Sequence, residues 1–324
     1  MANIGKNVMS AVQGDALILC RTPFQAVVIK RVLIEEEIKE FDLVYLTQNN
    51  SEEDLHYYAE LAAIAGKSQY VYIMEKKFDI LAQVIHYVCI NSIFKLLNAY
   101  RKVVVSSFDS LAFRKIVSKN RNAEVISFDD GTGYINKHSS YMEEYQNLRS
   151  LIYTKAFAVP GKREFIKTIN RHYSVYRGFE NIISAELVRF IDVFNYDSML
   201  QNKGARINIF IGQPFDEYMD PDYIGKLRGL VYSLGIEYYI MHPRELRPLV
   251  GNIPILPKNG RIAEEAIFKI CDGRRPAIFG GFSSVMFNIS SDVADKVMIL
   301  SDDNEEHATL AGLGKMAGCQ ILYV

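Results

Sequence analysis

The stretch SFDDGTGY, Ser127 to Tyr134, sets two carboxylates side by side and follows them with two glycines around a threonine. The apolar run AEVI directly upstream reads as a strand, so Asp129 and Asp130 stand where a strand ends. A carboxylate there can serve as a general base toward a hydroxyl, and a close second carboxylate raises its pKa. Gly131 lets the backbone approach a ligand, with Thr132 beside it. An Asp-Gly surface turn would use the same residues.

Four more stretches follow apolar runs in the same way. CRTPFQ, Cys20 to Gln25, offers Thr22 as a helix cap with Pro23 in the first helical position, leaving free N–H groups that suit an anion. GQPFDE, Gly212 to Glu217, carries Asp216 and Glu217, which as helix-start acids would also complement the helix dipole. In MHPREL, Met241 to Leu246, Pro243 biases His242 toward an extended turn, where the imidazole could protonate or hydrogen-bond a leaving phosphate. Arg244 adds charge for the same oxyanion. GGFSSVMF, Gly280 to Phe287, offers Ser283 and Ser284 ahead of a helix, and Glu264 in RIAEEA could accept bonds from ribose hydroxyls. The GK[ST] of a P-loop is missing, which excludes that class of kinase or ATPase. His56, His86, His138, His172 and His307 show no metal-ligand spacing and are read as structural; with no DxD pair, no metal site is expected.

The elements that must position these residues alternate. Strands are expected at Asp15–Cys20, Phe41–Thr47, Gln69–Met74, Lys102–Ser107 and 123–128, with helices at Phe24–Ile38, Glu52–Ala65, Ile80–Tyr100 and up to Lys119. A second set has strands at Arg206–Gly212, Glu237–His242, Pro276–Gly281, Lys296–Leu300 and the C-terminal CQILYV, with helices near Tyr223–Leu234 and Ala263–Cys271. Strand alternating with helix gives parallel, doubly wound α/β domains, whose ligands lie beyond the carboxyl ends of the strands. The expected domains are 1–200, with Leu148–Gln201 as an aromatic-rich segment of helix and loop, and 201–324, facing each other across a cleft.

Length and composition agree. At ~150 residues per domain, 324 residues with 49% hydrophobic content make two domains with sizeable cores. A net charge of −1 from 37 basic and 38 acidic residues gives no field for nucleic acid. Cys20, Cys89, Cys271 and Cys319 lie far apart with no CxxC pair, which points to a reducing cytoplasm. The N-terminal apolar run is too short for a signal peptide and Ile80–Tyr100 is too polar for a membrane span, though peripheral attachment at the inner face of the membrane stays compatible.

Taken together, TPFQ near the N-terminus, AEVISFDDGTG with the later SSY (Ser139–Tyr141), HYSVYRG (His172–Gly178), IFIGQP, HPR and the serine pair resemble the bacterial lipooligosaccharide sialyltransferases, glycosyltransferase family 52, over most of the chain. The resemblance implies a GT-B fold of two Rossmann-like domains. It implies a metal-independent, inverting transfer of N-acetylneuraminic acid from CMP-sialic acid to a terminal galactose of a lipooligosaccharide or capsular glycan, with an α-2,3 linkage and no cofactor. Carried onto this sequence, Asp216 is the base, and His242 acts on the leaving phosphate. Ser283 and Ser284 hold that phosphate, and Glu264 binds the ribose. Pro243 and Arg244 line the CMP side, Gly131 and Thr132 the acceptor side, and Thr22 and Gln25 the N-terminal loop. The family loop carries its Asp directly after the proline, where this chain has Phe215, so Glu217 and Asp130 remain rival bases. Relatives that exchange helices imply a homodimer. Another nonulosonic acid, CMP-Kdo or a UDP-sugar as donor, a silent glycan-assembly protein and a phosphohydrolase remain as alternatives.

Overall fold

The computed structural model describes residues 15–73, 100–136, 141, 155, 158–197, 204–217, 219–301 and 305–324. The helix expected over Ile80–Tyr100 falls almost wholly outside them, as do Ser139 and Ser140. The chain divides into two compact units, Met1–Val193 and Phe194–Val324. The division precedes the expected 200/201 boundary because Phe194 and Tyr196 pack edge-on against Phe268, and the Tyr196 hydroxyl donates to the Asn288 carbonyl at 2.5 Å.

The first unit is built on seven strands. Five are long or apolar: β1 (Ala16–Cys20), β2 (Phe41–Thr47), β3 (Lys67–Tyr72), β4 (Lys102–Val105) and β5 (Glu124–Phe128). The strands β6 (Arg171–Ser174) and β7 (Val188–Phe190) complete the order β3-β2-β1-β4-β5-β6-β7, parallel throughout. These last two correct the expectation of helix and loop over Leu148–Gln201. They carry no apolar alternation because β6 buries polar groups, His172 and Ser174, which are satisfied by hydrogen bonds instead of by apolar packing.

The second unit is a parallel sheet in the order β12-β11-β10-β8-β9, from β8 (Gly204–Ile211), β9 (Tyr238–Ile240), β10 (Arg274–Gly280), β11 (Asp295–Leu300) and β12 (Cys319–Tyr323). Side chains alternate across β8: Ile207, Ile209 and Ile211 enter one apolar cluster and Phe210 enters another on the opposite face. Covering both faces is what a continuous apolar run such as RINIFI predicts. In each unit the order reverses beside its first strand, between β1 and β4 and between β8 and β10. That is where a crevice opens beyond the carboxyl ends of an open parallel sheet.

One buried cation locks the far side of the second sheet. Lys296 on β11 is 4% exposed, and its ammonium donates to the carbonyls of Met286 and Ile289, both at 2.8 Å, and of Ala317 at 2.6 Å. Burial pushes its pKa down, yet three carbonyl partners satisfy all three protons. Lys296→Met keeps much of the volume and orphans three acceptors. It is expected to destabilise by ~3 kcal/mol, read as a shift in the urea midpoint; an unchanged midpoint would show that the carbonyls find water.

Candidate active site

The DDG loop splits its two carboxylates between two jobs. Asp129 is fully buried. It accepts from Ser174 Oγ at 2.6 Å, His172 Nε2 at 2.9 Å, the Val175 N–H at 3.0 Å and Asn181 Nδ2 at 3.1 Å. The carboxylate can only accept, so it fixes the His172 tautomer with the proton on Nε2, and Nδ1 faces the Ser127 hydroxyl at 2.7 Å. Ser127, His172 and Asp129 thus make a serine–histidine–aspartate chain with no exposed surface, a support for the loop and not a nucleophile.

Asp130 faces the other way and is partly exposed. Its Oδ2 accepts from Gln25 Nε2 at 2.7 Å and from the Ser107 hydroxyl at 2.9 Å, and its Oδ1 accepts from the Tyr141 hydroxyl at 3.0 Å. Burial and then the neighbouring Asp109 charge raise its pKa, while these donors pull it back. Gly131 follows at φ 154 with nothing within 4 Å of where a Cβ would stand, and Thr132 begins a short 3-10 turn (Thr132–Tyr134). Thr22 caps the helix Pro23–Glu35 as the sequence suggests, accepting from the Gln25 N–H at 3.3 Å. Gln25 itself is buried and turned onto Asp130, which leaves it to organise the loop and not to meet an anion.

In the second unit the loops after β8, β9 and β10 are tied to one another. Gln213 Nε2 donates to the Phe282 carbonyl at 2.6 Å, across the reversal between β8 and β10. Arg244 pairs with Glu217 at 2.9 Å, joining the β9 loop to the β8 loop. Asp216 lies in the same 3-10 turn as Glu217 (Phe215–Glu217), exposed, and its carboxylate takes no hydrogen bond from a described residue. Pro243 and Arg244 form the middle of a turn closed by the Glu245 N–H on the His242 carbonyl at 3.0 Å. The Glu245 carboxylate returns to the His242 N–H at 3.1 Å and also accepts from the Tyr239 hydroxyl. A side chain at Gly212 would collide with Glu245, and one at Gly281 with Gln213.

His242 is half-buried, and its pKa is pushed down to about 4, first by burial and then by the Arg244 and Lys258 charges. Its Nδ1 accepts the Arg244 N–H at 3.1 Å, so the neutral ring carries its proton on Nε2. Such a ring donates a hydrogen bond; at neutral pH it holds no second proton to give away. Glu264 is 3% exposed near the start of the helix Ala263–Cys271, accepts from Asn288 Nδ2 at 2.7 Å, and is raised by burial. Ser283 caps the short helix Ser284–Asn288, accepting from the Val285 N–H at 3.4 Å, and Ser284 opens that helix. Sequence reasoning missed Glu245, Asn288 and Lys258. The Lys258 charge reaches both His242 and Glu264, yet its surroundings, PKNG, look like any exposed turn. Among the described residues, no group of three or more His, Cys, Asp or Glu is arranged to hold a metal.

Two doubly wound parallel sheets with polar loops beyond the reversals of strand order suit a nucleotide-sugar enzyme, and the sequence carries the matching family pattern: glycosyltransferase family 52 matches over residues 39–303. The chain belongs to that family. This family 52 glycosyltransferase is 25% identical over 290 residues to an N-acetyllactosaminide alpha-2,3-sialyltransferase of Haemophilus influenzae, covering 85% of this chain and 88% of that protein. It is 23% identical over 247 residues to a protein of the same name from Neisseria meningitidis, covering 72% of this chain but only 64% of the meningococcal protein. Among solved structures it resembles the alpha/beta-galactoside alpha-2,3-sialyltransferase of Photobacterium phosphoreum, with a TM-score of 0.51 at 12% identity over 96% of this chain and 99% of that one. At that identity the likeness speaks for the fold, which is of the GT-B type.

Proposed function

We propose that this glycosyltransferase moves N-acetylneuraminic acid from CMP-sialic acid to the 3-hydroxyl of a terminal galactose on a surface glycan, with inversion and without a metal. The names of its two curated relatives support the transferred sugar and the linkage. The observation that carries the reading is the set of linked loops beyond β8, β9 and β10, which gathers a neutral histidine, Arg244 and Lys258 beyond the carboxyl ends of the second unit's strands.

In the transfer, the bond from the anomeric carbon to the phosphate oxygen breaks, the galactose oxygen bonds to that carbon, and the hydroxyl proton passes to a carboxylate. CMP leaves with the negative charge. The His242 Nε2–H, the Ser283 and Ser284 hydroxyls and the two cations supply donors where that charge grows. Glu264, held by Asn288, offers its remaining lone pairs to the ribose hydroxyls. Asp216 is the base, because Glu217 is engaged by Arg244 while Asp216 keeps its lone pairs. A second reading makes Asp130 the base, favoured by its raised pKa and fixed orientation. Asp216→Asn and Asp130→Asn tested side by side decide between them: the base variant loses turnover by at least ~10²-fold with CMP affinity kept.

The founding test is CMP release from CMP-N-acetylneuraminic acid, with and without lactose, in EDTA. Release that rises with lactose and survives EDTA supports donor, acceptor and metal independence together. No release, followed by release from another CMP- or UDP-sugar, would reassign the donor. We place the reaction in the cytoplasm, where free thiols persist and the described cysteines Cys20, Cys271 and Cys319 stay unpaired. No helix among the described residues is long and apolar enough to cross a membrane. We also propose a homodimer, which a monomeric mass by light scattering would end.

A further inference from the structure

The turn that carries His242 is held from behind by a chain of hydrogen bonds. The Leu249 N–H donates to the Tyr239 hydroxyl at 3.2 Å. That hydroxyl donates in turn to Glu245 Oε1, and the His242 N–H donates to Glu245 Oε2 at 3.1 Å. Tyr239, on β9, is fully buried and stacks on Phe210 of β8, with ring centroids 5.4 Å apart. Gly212, directly after β8, makes room for the chain. A Cβ there would stand 2.2 Å from Glu245 Oε2 and 2.7 Å from the Tyr239 hydroxyl oxygen.

Two features single out Glu245. The first is which atoms can accept. The Tyr239 oxygen already takes the Leu249 N–H, so its own hydrogen goes to Glu245, while the His242 N–H meets the other carboxylate oxygen. A carboxylate accepts on both oxygens, whereas an amide of the same shape accepts on one end and donates from the other. The second is charge. Glu245 is half-buried, and its hydrogen-bond donors among the described residues are all neutral. The Arg244 guanidinium, one residue away, goes to Glu217 instead. Burial and then the Asp216 charge push the Glu245 pKa up, and its donors pull it back. Keeping an acid in that setting costs desolvation, which a turn closed by its backbone alone would not require.

What the chain of bonds controls is the imidazole. With its N–H on Glu245 and its carbonyl accepting the Glu245 N–H at 3.0 Å, the His242 backbone is fixed on both sides. The turn then presents the Arg244 N–H to Nδ1 at 3.1 Å, which leaves the ring proton on Nε2. Arg244, Lys258 and Glu217 are the charges that act on the ring itself.

We infer that Glu245 is a positioning residue for the transfer: backed by Tyr239 and given room by Gly212, its carboxylate sets the turn in which the His242 ring carries its proton on Nε2. This rests on the reading that His242 hydrogen-bonds the departing phosphate.

The test follows tautomer and rate together in the full chain. Imidazole nitrogen NMR, with the His242 signals identified by their loss in His242→Gln, should show a proton on Nε2 and none on Nδ1 in the wild type. Glu245→Gln keeps the volume. It is expected to spread the proton over both nitrogens and to lower kcat about tenfold or more, with KM for the CMP-sugar changed less than about threefold. Tyr239→Phe removes only the hydroxyl and reads the same chain of bonds without touching the turn; it should act in the same direction. In a His242→Gln background, Glu245→Gln should cost less than about twofold further, because a residue that acts through the ring has nothing left to position. An unchanged His242 signal in both variants overturns the inference whatever the rate. So does an additive loss in the double variant, which would make Glu245 a support for the fold alone. A displaced tautomer in a protein whose wild type turns over no CMP-sugar would keep the positioning role and discard the transfer.

Discussion

Replacing His242 with alanine is expected to slow transfer by about 10²–10³-fold, the scale on which removing one preorganised donor to a developing charge acts. Replacing it with glutamine should restore about a tenth of the wild-type rate, since the amide can donate in place of Nε2–H. The reason lies in the protonation state. Burial and the cations Arg244 and Lys258 push the imidazole down to about 4. Between pH 6 and 8 the free enzyme therefore holds a neutral ring, and falling pH protonates it only near its lowered pKa. An enzyme that needed the imidazolium would lose kcat/KM about tenfold per pH unit above that lowered pKa, and so steadily from pH 6 to 8. Here kcat/KM should show no descending limb from His242 in that range. Equal rates for His242→Ala and His242→Gln, with a descending limb that both abolish, would make the histidine a proton donor after all.

Asp129→Ala is expected to be the most destabilising single change, by ~3–5 kcal/mol, because it strips a buried carboxylate from four donors at once. Two of these donors, His172 and Ser174, have no water to turn to, because both are buried and Asp129 itself has no exposed surface. At ~2–4 °C per kcal/mol, the melting temperature should fall by about 10 °C. Asp130→Asn, one residue along, should move it by less than ~2 °C, because Asp130 is partly exposed and its ionised form is disfavoured by burial and by Asp109. Circular dichroism melts of the two variants make the comparison. Similar losses at both positions would mean that the loop is held as a unit and the two carboxylates do not divide the work.

Much of this was legible in the sequence for a plain reason: parallel strands buried on both faces are written as unbroken apolar runs, and LILC, LVYL, VVV, INIFI and AIFG each became one. The ends of those runs then marked where polar loops had to emerge, which is why Asp130, Asp216 and His242 could be named. The two short strands β6 and β7 were hidden because RHYS and VRF bury hydrogen-bonded polar groups or stay exposed, so period-2 alternation never forms. Partnerships were hidden too. Gln25 was read as part of an anion-binding helix start, but only the fold brings Ser107 and Asp130, 82 and 105 residues away, onto its amide. Glu245 passed unmarked in MHPREL; its contact with Tyr239 makes it the clasp of the His242 loop.

The donors that secure Asp129 lie 43 to 52 residues downstream of it in the chain. During synthesis, the DDG loop emerges long before any of them. At ~5–20 residues per second, the nascent chain carries an unsatisfied aspartate at the growing edge of its sheet for several seconds. The loop sets only when Arg171–Ser174 docks beside β5 and Asn181 follows. A stall after the DDG loop has left the ribosome, and before Arg171–Ser174 has, would leave a nascent chain with β5 as an open edge strand, the form most prone to pair with a neighbour. A slower passage through the stretch that separates the DDG loop from Arg171–Ser174 is expected to lower the yield of folded enzyme.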